Sequence, residues 1–149
     1  MSIPYENATS GKNAMNDIQK TLKTFGCNKF GSWEDFDTGT MTVQFEWDGR
    51  MVELKASASG YAAVWLKENP WTYRRQSTKQ EWEQKARDKG AVAVYSILRD
   101  WIKAQVTAIE TGLLTFEGVF MPHMLLPDGT RLVDRVDEVH KLLAPPAEH

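Results

Sequence analysis

Cysteine is nearly missing from this chain: Cys27 is the only one. That excludes an internal disulfide and a thiolate zinc cluster, and it suits a reducing compartment. No run of eighteen apolar residues occurs, so no segment reads as a membrane-spanning helix. The stretch Met1 to Lys12 is too polar to resemble a secretory signal. Glycine-rich phosphate loops and dinucleotide fingerprints are absent. Histidine is scarce too. His123 and His140 are the two inside the expected folded part, and neither has a partner at helical ligand spacing. No metal site and no cofactor is implied. These absences lead to the expectation of a non-enzymatic, cytoplasmic protein without membrane contact.

What is present is ordinary globular material. The 149 residues are 42% hydrophobic, 11% aromatic and 26% charged, enough for one domain with a real core. A net charge of −2 gives no global case for nucleic acid or anionic membrane. Charge is uneven locally: Lys67 to Lys89 holds seven cations against four anions, and Lys29 to Lys55 three against six. The organisation expected is a flexible N-terminus (1–12), a single α+β domain (13–144) and a disordered tail (145–149).

Met15, Ile18, Leu22 and Phe25 recur at helical spacing and Gly26 follows as a C-terminal cap, which predicts a first helix. Alternating runs on either side of Asp48-Gly49 predict a two-residue hairpin. Its register pairs Trp47 with Arg50, Phe45 with Val52, Val43 with Leu54 and Met41 with Ala56, which places the apolar partners on one face. Lys29 to Trp33 reads as an edge strand. Ser59-Gly60 reads as a turn into a third strand, Tyr61 to Leu66, stopped by Asn69-Pro70.

Ser77 to Gly112 reads as one long helix, opened by a capping box at Ser77–Gln80 or Thr78–Glu81. At 1.5 Å per residue it would run about 50 Å, so it must cross the domain, overhang it, or break at Gly90. Val94, Ile97, Leu98, Trp101, Ile102, Val106 and Ile109 cover a wide apolar arc, while Ser96, Arg99, Asp100 and Lys103 lie opposite. An arc that wide calls for packing on two sides or for self-association of two long helices into a homodimer. Before Gly90 the stripe is held by Gln80, Glu83 and Arg87, so the early turns are expected in water, supported by Glu81–Lys85 and Glu83–Arg87 pairs. Thr115 caps a short helix through Phe120, Pro127 to Thr130 makes a turn, and Val133 to Leu143 reads as a last helix. The fold class expected is α+β: an antiparallel sheet of three to four strands, covered by the long helix and flanked by shorter ones.

For chemistry, Cys27 reads as a packed residue, His123 as a satisfied structural histidine, and Glu34 to Asp37 as a solvated turn. The segment Trp65 to Arg87 stands apart, because it interleaves aromatics with cations. Its candidates for partner binding are Trp71, Tyr73, Arg74, Arg75, Lys79, Trp82 and Arg87. Three readings fit them: tryptophans that close the sheet while the cations face water, a protein-docking surface, or a platform for single-stranded nucleic acid or a nucleotide. An exposed Trp82 would favour a partner. On that view, replacing Arg74, Arg75 and Trp82 together removes binding and leaves the melting temperature nearly unchanged.

Phe25-Gly26, the Asp48-Gly49 hairpin, Arg74-Arg75 leading to Trp101, Gly112 to Glu117 with Phe120, and Pro127-Asp128-Gly129 together resemble a family. The chain is similar to small proteins without assigned activity encoded by tailed phages and prophages, across most of residues 15 to 133. The resemblance implies a phage origin and an early accessory role, and it carries over no catalytic residue. The functional expectation is a non-catalytic protein that binds a host protein, a defence or nucleic-acid-processing factor. The alternative is a single-stranded nucleic-acid or nucleotide binding protein of phage DNA metabolism.

Overall fold

Asp48 and Gly49 both take positive φ, 51° and 76°, which is the geometry a tight two-residue hairpin needs. The turn joins β2 (Thr40–Trp47) to β3 (Arg50–Ser57). Their register is Trp47 with Arg50, Phe45 with Val52, Val43 with Leu54 and Met41 with Ala56, as the alternation dictates. Met41, Val43, Phe45, Val52 and Leu54 are all buried on the shared face. β1 (Lys29–Asp35) pairs antiparallel with β2, so the sheet has three strands in the order β1-β2-β3. At its other edge Val52 bridges Met124, and the Leu125 N–H donates to the Met51 carbonyl at 2.8 Å. The computed structural model describes residues 3–147.

Helices cover the buried face. α1 (Gly11–Phe25) begins at Ser10, whose hydroxyl accepts from the Asn13 N–H. It ends at Gly26, whose φ of 113° lets its N–H reach the Leu22 and Lys23 carbonyls. Ile18 and Leu22 join Val43, Phe45, Val52 and Leu54 in the main core, with Ile102, Val106, Phe116 and Phe120. α4 (Phe116–Phe120) is capped by Thr115, which accepts from the Gly118 N–H. Phe116 stacks on Trp47 at 4.3 Å between ring centroids, Phe25 stacks on Trp47 at 5.4 Å and lies 6.4 Å from Phe116, and Glu117 pairs with Arg50. The Thr115-Phe116-Glu117 block thus anchors the hairpin tip.

Tyr61 to Leu66 is not a strand. It lies inside a helix, α2 (Ala58–Glu68), which starts where the Ser57 hydroxyl accepts from the Gly60 N–H at 2.9 Å. Ser-Gly therefore works as a helix start rather than as a turn between strands. Ala58, Ala62 and Trp65, at helical spacing, form its buried side. An eleven-residue helix is marginal alone. It is held against α3 (Lys79–Glu110), the long helix.

α3 runs 32 residues without a break at Gly90. Gly90 is where α2 and α3 touch: a Cβ there would sit 2.4 Å from the Ala58 carbonyl oxygen. The early turns are not left in water either. Trp82, Ala86 and Gly90, spaced by four, are buried under Ala62 and Trp65. The Glu81–Lys85 and Glu83–Arg87 pairs do not form among the described residues; Arg87 donates instead to Gln84, and Gln84 donates to Asp88. Further along, Ser96 is buried despite its expected polar sector, and its hydroxyl is satisfied by the Val92 carbonyl at 3.0 Å. Ile97, expected inside, is 36% exposed. With α2 on its first half and α1 and the sheet on its second, Val94, Ile102 and Val106 are buried within one chain, while Leu98, Trp101 and Ile109 are half-buried.

The N-terminus is not free over its described part. Tyr5 donates to Asp100 at 2.5 Å, Tyr61 donates to the Pro4 carbonyl, Trp65 Nε1 donates to Glu6, and Lys89 Nζ donates to the Glu6 carbonyl. The last predicted helix is shorter than expected: a 3₁₀ turn, Leu132–Arg135, leads into α5 (Val136–His140). Residues 145–147 are exposed and irregular, and positions 148–149 of the expected tail lie outside the described residues.

Candidate functional site

The aromatic and cationic segment is built on the crossover from α2 to α3. Two indole N–H groups pin it: Trp82 Nε1 donates to the Asn69 carbonyl at 2.8 Å, and Trp71 Nε1 donates to the Ser77 carbonyl at 2.9 Å. The first ties the loop's entry to α3, and the second closes the loop on itself just before the Thr78 cap, which accepts from the Glu81 N–H. Between these pins Arg75 turns back on the loop. Its backbone N–H donates to the Thr72 carbonyl, and its Nε donates to the Pro70 carbonyl at 3.1 Å. Its guanidinium carbon lies 3.8 Å from the centre of the Trp82 ring. Cation–π contact and hydrogen bond together fix a side chain that otherwise has many rotamers.

What this scaffold presents is specific. Tyr73 is 93% exposed and meets Trp71 edge-on at 5.1 Å. Arg74, Lys79 and Lys85 are exposed, while Trp71 and Arg75 are half-buried. Lys85 Nζ also lies over the Trp82 ring, at 4.9 Å. Lys85 was outside the set expected from sequence, although its place three residues after Trp82 puts it on the same helix face.

Trp82 is not part of the surface. It is 8% exposed, tilted against Trp65 at 5.0 Å, and roofed by Arg75. It supports the patch from below. Arg87 is not in the patch either, being about 140° around α3 from Trp82 at 100° per residue. It lines a separate cleft of about 370 Å³ with Asp88 and the Glu34–Gly39 turn. Of the expected residues, Trp71 and Tyr73 meet and Arg75 folds back over Trp82, while Arg74 and Lys79 are exposed on the same crossover and first turn of α3.

Elsewhere the chemistry is quiet. Burial pushes the Cys27 thiol up to about 11, the opposite of what a nucleophile needs. Asp35 accepts from the Asp37 and Thr38 N–H groups, so the acidic stretch is a self-satisfied turn. No group of three His, Cys, Asp or Glu is placed to hold a metal ion among the described residues. No described helix is long and apolar enough to cross a membrane. An apolar groove of about 380 Å³ lies between Met121-Pro122 and Leu132, Val133, Val136 and Val139. Comparison with protein-family models, curated proteins and solved structures finds no match.

His123 differs from its expected role as a satisfied histidine. It is half-buried, meets Trp101 edge-on at 6.0 Å, and its Nδ1 is buried with no hydrogen-bond partner among the described residues. Burial, helped by the charge of Arg131, lowers its pKa from the ordinary 6.5. The unfolded chain therefore takes up this proton more readily than the native one. Stability should be unaffected by this group above about pH 6.5 and decline as pH falls through the lowered value. Denaturant titrations at about pH 7.5 and about pH 5.5 should show the wild type losing more stability than His123→Phe. Equal losses would show that the imidazole is not the cause.

Proposed function

We propose that this chain works by binding, and that it captures a protein partner on the surface formed by Trp71, Tyr73, Arg74, Arg75, Lys79 and Lys85. The resemblance to tailed-phage proteins supports a host protein, a defence or nucleic-acid-processing factor, as that partner. One observation carries the reading. A loop pinned by two indole N–H groups, one from the buried Trp82 and one from the half-buried Trp71, holds a fully displayed tyrosine beside two arginines that lack a carboxylate partner among the described residues. Tyrosine and arginine on a rigid support are the residues that dominate binding hot spots, because little entropy is lost when they are engaged.

The test is affinity capture from a bacterial lysate by wild type and by an Arg74→Ala/Arg75→Ala variant, each with and without nuclease. The expected result is a protein retained by wild type, indifferent to nuclease and lost in the variant. The variant should remain folded, since the cation–π contact it gives up is worth about 0.5–2 kcal/mol. Retention of the same protein by the variant, or loss of capture on nuclease treatment, overturns the reading.

A further inference from the structure

Resting on that docking surface, we infer what the partner offers to it: a short acidic segment whose Asp and Glu carboxylates meet Arg75 and Arg74 beside Tyr73.

Charge is the first argument. Of the seven arginines in the chain, four are held by acids: Arg50 by Glu117, Arg99 by Asp100, Arg131 by Asp134 and Arg135 by Glu138. Arg74, Arg75, Lys79 and Lys85 have no carboxylate within ion-pairing distance among the described residues, so this end of α3 carries an excess of positive charge, four unpaired cations against Glu81 and Glu83, on a chain of net charge −2.

Geometry is the second argument. One face of the Arg75 guanidinium lies on Trp82 and its Nε is taken by the Pro70 carbonyl, which leaves the two terminal Nη groups. That edge matches the two oxygens of a carboxylate end-on, and the side chain is already ordered before contact.

The third argument separates an acidic protein segment from nucleic acid. Single strands bind on successive open aromatic faces along a continuous basic track. Here Arg75 and Lys85 lie over the Trp82 ring and Trp65 is tilted against it. The Trp71 indole N–H is spent on Ser77, and Tyr73 alone stands fully open. The cations are also interrupted by Glu81 and Glu83 on the same helix turns, which suits two or three discrete carboxylates and not a run of phosphates.

The probes are a fluorescein-labelled Glu-rich peptide, its Gln-for-Glu counterpart, and an oligothymidylate of matched charge, titrated against the full chain. The Glu peptide should bind, the Gln peptide should not, and affinity should fall by about tenfold between low and physiological salt. Arg75→Lys keeps the charge but loses the planar fork, and should weaken binding by about threefold to tenfold. Arg74→Ala, at an exposed position, should weaken it without disturbing the Trp82 stack. Failure of the Glu peptide to bind at about millimolar concentration, or binding that survives both substitutions, overturns the acidic segment. If Arg74→Ala/Arg75→Ala still abolishes lysate capture in that event, the docking surface stands and only the partner's chemistry is wrong. Tighter binding of oligothymidylate than of the peptide, lost in the same variants, overturns the protein partner in favour of nucleic acid.

Discussion

Trp82→Ala should cost about 3–5 kcal/mol of stability, the range for removing a buried large aromatic side chain. Sequence reasoning leads elsewhere, placing Trp82 on a free surface where its loss is harmless. The structure reverses that. Trp82 is 8% exposed, lies against Trp65, supports the Arg75 guanidinium, and holds the Asn69 carbonyl through its indole N–H. Its removal leaves a cavity between α2 and α3 and also strands a carbonyl that it had satisfied. Arg74→Ala, a few residues away and solvent-exposed, should stay within about 0.5 kcal/mol. Urea unfolding of the two variants beside wild type measures the contrast. A Trp82→Ala loss below about 1 kcal/mol would show that α2 is not packed on α3 as described.

Gly90→Ala should also destabilise, against the usual expectation for a glycine inside a helix. Helix propensity alone favours alanine by about 1 kcal/mol. The added Cβ, however, would stand 2.4 Å from the Ala58 carbonyl oxygen and 3.3 Å from the Ala62 nitrogen. Both are backbone atoms and cannot swing aside, so the helices must move apart and loosen Trp65 and Trp82 together. Overpacking of that kind costs about 1–3 kcal/mol or more, which outweighs the gain in propensity. The net should be a loss, and Gly90→Val should lose more. A rise in melting temperature for Gly90→Ala would contradict the close crossing of α2 and α3.

These two positions also show where sequence reasoning reaches and where it stops. The hairpin register was legible because strand alternation has a strict period of two and Asp48-Gly49 accepts positive φ, so one alignment satisfies both. The first helix was legible through its stripe and through Gly26. α2 was not, because Tyr61, Val64 and Trp65 favour strands locally and Ser59-Gly60 resembles a turn; only packing on α3 decides for helix. The readable signal was Ala58, Ala62 and Trp65 at helical spacing behind Ser57. Once α2 is missed, Trp82, Ala86 and Gly90 have nothing to pack on, and the early turns of α3 look solvated. The site was half legible for the same reason. The clustering of Tyr73, Arg74 and Arg75 is local in sequence, whereas the indole-to-carbonyl pins and the seat of Arg75 on Trp82 depend on the two helices meeting.

Because α3 passes from Trp82 to Val106 without interruption, about 36 Å at 1.5 Å per residue, it enters the sheet's core as the same stiff shaft that carries the loop's footing. Such a shaft has no hinge. The footing of the loop, Trp82 and the guanidinium of Arg75 upon it, is therefore held in one direction relative to the hairpin.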